Sequence, residues 1–204
     1  MIEESELVKE IASKKGKILS RIDEESIAVY LFLKKEYEKG NIGDNKIFQF
    51  MFKSFYGMNN AGLGDKLKAR YFKLLEREED DLGTILSELH KIETSRKVKS
   101  VQFSFATKLL HTINDKLPIF DTEVSKAIHC GITGNDKDKK IASAMRIYKV
   151  MQEELYPHLL DNKQIKRIIT EFKNKFKNTG EMSEAKILDF ILWQLGKMLK
   201  EGVK

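Results

Sequence analysis

The chain has 204 residues, 41% hydrophobic and 33% charged, and a net charge of +6 that mildly favours an anionic partner. Its single cysteine, Cys130, excludes an internal disulfide and any iron–sulfur cluster or zinc site built from four cysteines. No apolar run approaches the roughly 20 residues that cross a bilayer, and the acidic start MIEESELVKE lacks the apolar core of a signal peptide. We therefore expect a soluble, cytoplasmic protein with no membrane partner, no metal and no cofactor.

The basic residues gather in two stretches. Lys91–Lys99 has four basic residues and one acid, and Lys163–Lys177 has six basic residues and one acid. Clustered basic residues indicate nucleic-acid binding more strongly than net charge does. A solvated, lysine-rich helix face is the alternative explanation for either stretch alone.

In the first third of the chain, apolar spacing predicts helices over residues 3–19 and 24–38, followed by a break at Lys39–Asp44. Lys46–Tyr56 carries four phenylalanines, and three of them alternate as in a strand. We predict a buried helix, because a lone strand in a helical chain would have no partner. A glycine- and asparagine-rich loop, Gly57–Gly64, then precedes a basic helix.

A helical hairpin follows. Leu82–Ile92 and the stretch from Val101 to Ile113 each show one apolar stripe, and the polar segment Glu93–Ser100 joins them. Behind the hairpin, a short turn containing Pro118 leads to Asp121, which opens the next helix.

The last third of the chain predicts three further helices. Ile141–Leu155 is expected to end at Tyr156–Pro157, and Asn162–Phe176 and Ser183–Leu199 complete the chain. His111 is expected to be solvated, and Trp193 to pack in the core or at the interface between the lobes.

The predicted fold is therefore all-α, with about eight to ten helices and a central helix-hairpin-helix-like element. We predict a single helical domain, 1–204, built from two packed lobes. Residues 1–45 and 141–204 form one lobe, and residues 46–140 form the other, which contains the hairpin and Asp121.

Two local patterns permit chemistry. Asp121 precedes TEVSKAIH and is a good helix N-cap, which is the ordinary role of such a residue. A carboxylate at a helix N-terminus is also favoured as an anion, and it suits stabilisation of a sugar cation or orientation of a water. Gly62 and Gly64, followed by Lys68 and Arg70, offer backbone amides and charge to a phosphate, although a simple loop and helix entry explains them equally well.

Taken together, AGLGDKLKAR (61–70), the hairpin (82–113) and KLPIFDTEVSKAI (116–128) resemble the helix-hairpin-helix (HhH-GPD) DNA glycosylase superfamily. The chain looks like a divergent member, nearest to the adenine glycosylase and endonuclease III branch. The resemblance covers roughly residues 60–130 and rests on the spacing of the G-L-G-x-x-x-[KR]-A-R and P-x-x-D elements. It implies double-stranded DNA as the partner, Asp121 as the catalytic carboxylate, and a base flipped into a pocket between two helical lobes.

The resemblance also assigns the remaining site residues. Where the family has a glycine-rich hairpin turn, this chain has Lys97, Val98, Lys99 and Ser100, so Lys97, Lys99 and Ser100 are the candidates for phosphate contact. Phe103 falls near the position of the Schiff-base lysine of bifunctional members, which favours a monofunctional enzyme, although Lys99 and Lys108 are close in sequence.

Three residues of the loop region, Tyr56, Asn59 and Asn60, are candidates for a base pocket, because they offer a stacking face and amide groups. Stabilisation of the loop is the alternative role for them.

The expected function is thus monofunctional base excision from damaged or mispaired DNA by a divergent helix-hairpin-helix protein. One alternative is a non-enzymatic nucleic-acid-binding module on the same scaffold, since the hairpin glycines are missing. The other is a helical interaction protein, in which Asp121 is only a cap.

Overall fold

The computed structural model of the protein describes residues 1–202, and every regular element within them is helical, which confirms the predicted all-α class. The α8 helix, a π-helical turn and α9 run on without a break, so these residues form ten separate helical segments, as predicted. None of these helices combines the length and apolar character needed to cross a membrane. The helices are α1 (Glu4–Arg21), α2 (Glu24–Glu38), α3 (Lys46–Phe55), α4 (Asp65–Glu76), α5 (Leu82–His90), α6 (Phe103–Ile113), α7 (Thr122–Ala127), α8 (Lys137–Val150), α9 (Tyr156–Asp161), α10 (Lys163–Lys175) and α11 (Glu184–Lys200).

Side-chain caps explain where most helices begin. A capping oxygen satisfies one of the first-turn amides that have no partner inside the helix, and such a cap contributes about 1 kcal/mol. The helices α2, α3, α5, α7, α8, α10 and α11 begin at capping side chains, which belong to Asp23, Asn45, Asp81, Asp121, Asp136, Asn162 and Ser183.

The phenylalanine-rich segment is the helix α3. Phe48 and Phe52, four residues apart on one face, are fully buried, whereas Phe50 is 63% exposed on the opposite side. The alternation at 48, 50 and 52 therefore does not reflect a strand. The rings of Phe48 and Phe52 pack against Phe72 of α4 with centroid distances of 6.4 and 5.7 Å.

The prediction that Tyr156–Pro157 ends a helix is wrong. The helix continues from α8 into α9 through the π turn Met151–Leu155, in which the amide of Tyr156 donates to the carbonyl of Met151. Pro157 lacks an amide hydrogen and lies in the first turn of α9, where proline is tolerated. The hydrogen-bond register changes in the π turn, just ahead of Pro157, so the helix continues past the proline.

Packing gathers the helices into two groups. The helices α4, α5, α6 and α8 contact one another, and α1, α9, α10 and α11 form the second group. The short helix α7 packs most extensively against α11, and α2 packs against α3. Since α7 follows the hairpin in sequence, its contact with α11 brings Asp121 against the C-terminal helix.

A glycine allows this contact to be close. A Cβ atom at Gly196 of α11 would overlap the backbone carbonyl of Glu123 in the first turn of α7. Any side chain at this position would therefore push the two backbones apart, together with the Asp121 cap one residue before α7. The spacing of α7 and α11 depends on Gly196.

We predict that Gly196→Ala destabilises the protein by about 1–3 kcal/mol, the usual cost of overpacking a rigid core. Chemical denaturation followed by circular dichroism measures the change. Gly16→Ala is the matched control, because a Cβ at Gly16 of α1 meets nothing within 4 Å. Alanine there should stabilise the protein by up to about 1 kcal/mol. Equal effects of the two substitutions would contradict the close approach of α7 and α11.

Candidate active site

A pocket of about 490 Å³ opens between helices from the middle of the chain and the C-terminal helix. Its walls come from α3, α6 and α7 on one side and from α11 and the first turn of α2 on the other. The volume lies within the roughly 300–1,000 Å³ of ordinary ligand pockets. Within residues 1–202, no group of three or more His, Cys, Asp or Glu side chains could hold a metal ion.

Asp121 lines this pocket and caps α7. Its Oδ1 atom accepts from the amides of Glu123 and Val124, each at 3.0 Å, and its Oδ2 atom lies 3.6 Å from Nζ of Lys108. The side chain is 14% exposed. Two backbone amides thus fix the carboxylate, while its second oxygen stays available on the pocket side next to a cation.

The turn before Asp121 is fixed from α6. The Thr107 hydroxyl accepts from the amide of Phe120 at 3.0 Å and lies 3.2 Å from the carbonyl oxygen of Phe120. One helical turn on, the Nδ1 atom of His111 lies 2.7 Å from the carbonyl oxygen of Leu117. Two side chains on one face of α6 therefore hold the turn that positions Asp121.

His111 is not solvated, contrary to the sequence prediction, and only 1% of it is exposed. Burial lowers its pKa to about 3, so the ring is neutral at pH 7. A neutral ring whose Nδ1–H donates to the carbonyl oxygen of Leu117 accounts for the 2.7 Å contact. The role of His111 is to fix the turn.

Lys108 is the buried cation beside Asp121. It lies on α6, is 8% exposed, and donates from Nζ to the hydroxyl of Ser104 at 3.1 Å. The Nζ atom also lies 5.2 Å from the ring centroid of Phe105 and 5.7 Å from that of Tyr56. Burial lowers the pKa of this lysine, against the opposing effect of the Asp121 carboxylate.

A second buried ion pair lies on the α11 wall. Nζ of Lys186 donates to Oδ2 of Asp189 at 2.7 Å, and the two side chains are only 3% and 8% exposed. The Lys186 ammonium is enclosed by the rings of Tyr30 and Phe190, with centroid distances of 4.8 and 4.6 Å. One pocket therefore contains two lysines and two aspartates that are all largely removed from water.

Aromatic side chains make up much of the remaining wall. Phe55 and Tyr56 come from the end of α3, Phe105 from α6, and Phe190 and Trp193 from α11. Burial and the nearby Asp189 carboxylate raise the pKa of Tyr56, so its phenol is neutral. Trp193, predicted to pack in the core or at the interface between the lobes, is 36% exposed and lines the pocket, so it is not a core residue.

The three predicted base-pocket residues separate in the structure. Tyr56 lines the pocket, whereas Asn59 and Asn60 are exposed in the loop that follows it and do not line it. The Oδ1 atom of Asn59 accepts from Nζ of Lys68 at 3.1 Å, a contact that stabilises the loop.

The hairpin turn lies directly on the glycine loop. The amide and the hydroxyl of Ser95 both donate to the carbonyl of Gly62, at 2.8 and 2.7 Å. Within the turn, the amide of Thr94 donates to Val98 and that of Lys97 donates to Thr94, each at 2.9 Å. Lys97 adopts a left-handed conformation, with φ of 56°. The sequence separates these two segments by about 30 residues, and the fold joins them into one surface.

Some of the residues predicted to contact phosphate are exposed on this surface, and others form hydrogen bonds or ion pairs within the protein. Lys97 and Lys99 are exposed, and Ser100 accepts from the side chain of Gln102 at 2.6 Å. Within residues 1–202 the amides of Val98, Lys99 and Ser100 donate no hydrogen bond, and the α6 helix that follows has no side-chain cap. This stretch can therefore receive an anion.

Arg70 and Gly64 have structural roles. Arg70 forms an ion pair with Glu88 that ties α4 to α5. Gly64 precedes α4 in extended backbone. A Cβ added at Gly64 would lie 3.7 Å from the amide nitrogen of Ser95. Gly62 contacts the hairpin through its carbonyl, whereas the Lys68 ammonium group pairs with Asn59 and Asp65.

Sequence reasoning missed Lys186 and Asp189, and it noted Lys108 only as a lysine close to the Schiff-base position of the family that the chain resembles. The only local signals for them are the spacings Ser104–Lys108 and Lys186–Asp189, which place each pair on one helix face. Many solvated pairs have the same spacing. Phe103, near the family's Schiff-base position, lies in the core with its ring 4.7 Å from that of Phe120.

Comparisons of the chain with models of protein families, with curated proteins and with solved structures find no match. The function must therefore be argued from the geometry of the pocket and the hairpin surface.

Proposed function

We propose that the protein is a helix-hairpin-helix type DNA glycosylase that excises a base flipped into the pocket lined by Asp121. The observation that carries the proposal is the environment of this carboxylate. It lies in an aromatic-walled pocket of about 490 Å³, held by two amides at 3.0 Å, with a buried lysine 3.6 Å away. A cap on an open surface would need neither the pocket nor the lysine.

The chemistry follows from the charge of Asp121. When the bond between C1′ and the base breaks, positive charge develops on the sugar, and a fixed carboxylate nearby stabilises it. The amides of Glu123 and Val124 hold the carboxylate in place, so it does not have to reorganise during the reaction. The free Oδ2 atom can also orient a water toward C1′.

The aromatic wall suits a base as the group to be bound. Tyr56, Phe105, Phe190 and Trp193 line the same pocket as Asp121. Stacking of a base on an aromatic side chain contributes about 1–3 kcal/mol, which offsets part of the cost of removing that base from the duplex. The pocket thus combines aromatic rings on which a base could stack with a carboxylate that could act at the glycosidic bond.

The hairpin surface supports binding of the DNA backbone. Lys97 and Lys99 are exposed next to the open amides of Val98–Ser100, and Ser95 links this turn to the loop at Gly62. Side-chain charge and backbone donors together position a phosphate. The α6 helix runs from this surface to the pocket, where it contributes Ser104 and Lys108.

We predict that Asp121→Asn lowers excision about 10²–10³-fold and leaves the fold intact, because asparagine also caps helices but carries no charge. The assay offers duplexes with uracil, an oxidised purine, an alkylated base or a mispaired adenine. Asp136→Asn, the same change at the exposed cap of α8, is the matched control and should retain full activity.

Failure to excise any of these bases, or full activity in Asp121→Asn, would remove Asp121 as a catalytic residue. Asp121→Ala should in addition lower stability by about 1 kcal/mol, since it deletes the cap. If that loss of stability is the only effect, Asp121 is a cap and the helical interaction protein becomes the better description.

Lys108 supports a second candidate, a bifunctional glycosylase and lyase. Burial lowers the pKa of its amine, which raises the nucleophilic fraction, and Nζ lies beside the carboxylate that would stabilise the sugar cation. In that route the neutral amine attacks C1′, the C1′–base bond breaks, and the base leaves with the electron pair and takes up a proton. Opening of the sugar ring then gives an iminium ion on Lys108.

Borohydride trapping separates the two candidates. On a duplex with an abasic site, the amine condenses with the C1′ aldehyde, water is lost, and borohydride reduces the iminium to a stable protein–DNA bond. We expect trapping by the wild type and by Lys99→Met, and at least about tenfold less by Lys108→Met. Excision without trapping by the wild type would leave the monofunctional route, in which water is the nucleophile.

We predict that Lys97→Gly and Lys99→Gln together weaken duplex binding and reduce its salt dependence. The slope of log K against log salt should fall by about 0.9 for each phosphate that the protein no longer neutralises. Stability should not decrease, because glycine favours the left-handed backbone that Lys97 adopts at φ of 56°. Fluorescence anisotropy at several salt concentrations measures the slope, and Lys9→Gln, an exposed change on α1, is the control.

An unchanged slope would exclude the hairpin as the DNA contact. Salt-dependent binding without excision of any base would favour the non-enzymatic binding module.

A further inference from the structure

We infer that Asp189 selects the base, by accepting hydrogen bonds from two adjacent N–H groups of a guanine-type Watson–Crick edge. The inference rests on the proposed function, since it concerns a base bound in the same pocket. It assigns to α11 a role in specificity that is separate from the role of Asp121 in bond cleavage.

The carboxylate of Asp189 is only half used by the protein. Asp189 is 6% exposed and lines the pocket, and its Oδ2 atom accepts from Lys186 at 2.7 Å. Its Oδ1 atom accepts no hydrogen bond from any group of residues 1–202. The Oδ1 atom is not sealed from solvent, so a hydrogen-bond donor in the pocket can reach it.

Lys186 fixes the direction of this carboxylate. Its own side chain is 3% exposed, and the rings of Tyr30 and Phe190 enclose its ammonium group. The lysine therefore cannot swing into solvent, and it holds Asp189 by one oxygen while the other oxygen remains for the pocket. The pair presents a fixed acceptor and little net charge.

An ionised carboxylate accepts hydrogen bonds and cannot donate them, so it discriminates among base edges. A guanine-type edge offers two neighbouring donors, the N1–H and the 2-amino group. Adenine and cytosine edges place an unprotonated ring nitrogen beside their amino group, and that nitrogen would repel the carboxylate. Uracil and thymine offer one N–H flanked by two carbonyl oxygens, which repel it as well. Only the guanine-type edge presents two adjacent donors to the Oδ1 atom, which has two lone pairs to accept them.

The position of Asp189 relative to Asp121 agrees with such a role. The two carboxylates line one pocket from different helices, Asp121 at the start of α7 and Asp189 on α11. A base whose sugar lies against Asp121 has its far edge available to the α11 wall. Tyr56 and Phe190 line the same pocket.

The experiment compares bases that differ only at this edge. Duplexes carry guanine or hypoxanthine opposite thymine, each of which begins in a two-bond wobble pair. Adenine opposite cytosine at neutral pH is the mispaired purine that lacks an N1–H group. Guanine and hypoxanthine differ only in the 2-amino group. Binding is measured by fluorescence anisotropy with Asp121→Asn protein, which keeps the base attached, and excision with protein that retains Asp121.

We expect the guanine duplex to be bound about tenfold more tightly than the hypoxanthine duplex, the effect of one hydrogen bond to a charged group. Asp189→Asn should abolish this preference and shift it toward adenine, because an amide offers one donor beside one acceptor. A residue with a purely structural role would weaken binding of all three duplexes equally.

Two further variants keep the test interpretable. Asp189→Asn leaves the buried Lys186 without an anion, so the double variant Lys186→Met/Asp189→Asn removes both charges and preserves folding. Glu184→Gln, an exposed change on the same helix, is the control and should behave as the wild type.

The outcomes separate this inference from the proposed function. Excision without any edge preference keeps the glycosylase and overturns the role of Asp189. Edge preference in binding without excision of any base overturns the glycosylase and keeps base recognition by Asp189. Binding that is the same for all three duplexes, with no excision, overturns both.

Discussion

The close approach of α7 to α11 is the constraint on which the candidate site depends. Gly196 has no side chain, and the carbonyl of Glu123 occupies the space that a Cβ would need. Because α7 begins one residue after Asp121, this contact brings the capping carboxylate to the helix that carries Lys186 and Asp189. Thr107 and His111 hold the preceding turn from the α6 side. The pocket is the space that remains when both sets of contacts are satisfied.

Burial of the charged groups in this pocket costs free energy. Removing an ion from water costs several kcal/mol even after relaxation, and a well-packed apolar pair would often be at least as stable. Here Lys108 and Asp121 lie 3.6 Å apart, and Lys186 and Asp189 form a 2.7 Å hydrogen bond, with side chains between 3% and 14% exposed. Stability alone gives no reason for two such pairs in one cavity. Burial lowers the pKa of Lys108, and a group perturbed in this way within a cleft is characteristic of a functional site.

The parts of this site that depend on local physics could be predicted from sequence. The helices follow from apolar periodicity, and Asp121 is predictable as a cap because an acid before TEVSKAIH has neighbouring amides to accept from. The partners of α11 could not be predicted, because its apolar stripe runs nearly all round the helix and does not specify which residues meet α7. In the sequence, Lys186 and Asp189 look like a solvated ion pair, because many such pairs have the same spacing of three residues on a helix. The prediction for His111 is wrong because only the fold places the carbonyl of Leu117 within reach of its ring. The π turn before Pro157 could not be predicted, because proline ends helices far more often than it shifts their hydrogen-bond register.

The hairpin turn shows how a glycine position can be taken by a charged residue. Lys97 adopts a left-handed backbone at φ of 56°, a conformation that costs a residue with a Cβ about 1–2 kcal/mol. Hydrogen bonds from Lys97 to Thr94 and from Thr94 to Val98 close the turn, and the two bonds from Ser95 to Gly62 tie it to the neighbouring loop. These bonds are sufficient to hold the strained residue without glycine. The turn therefore presents the exposed Lys97 ammonium from a position where glycine would be less strained. If the turn contacts phosphate as proposed, this charge adds an electrostatic attraction that glycine would not supply.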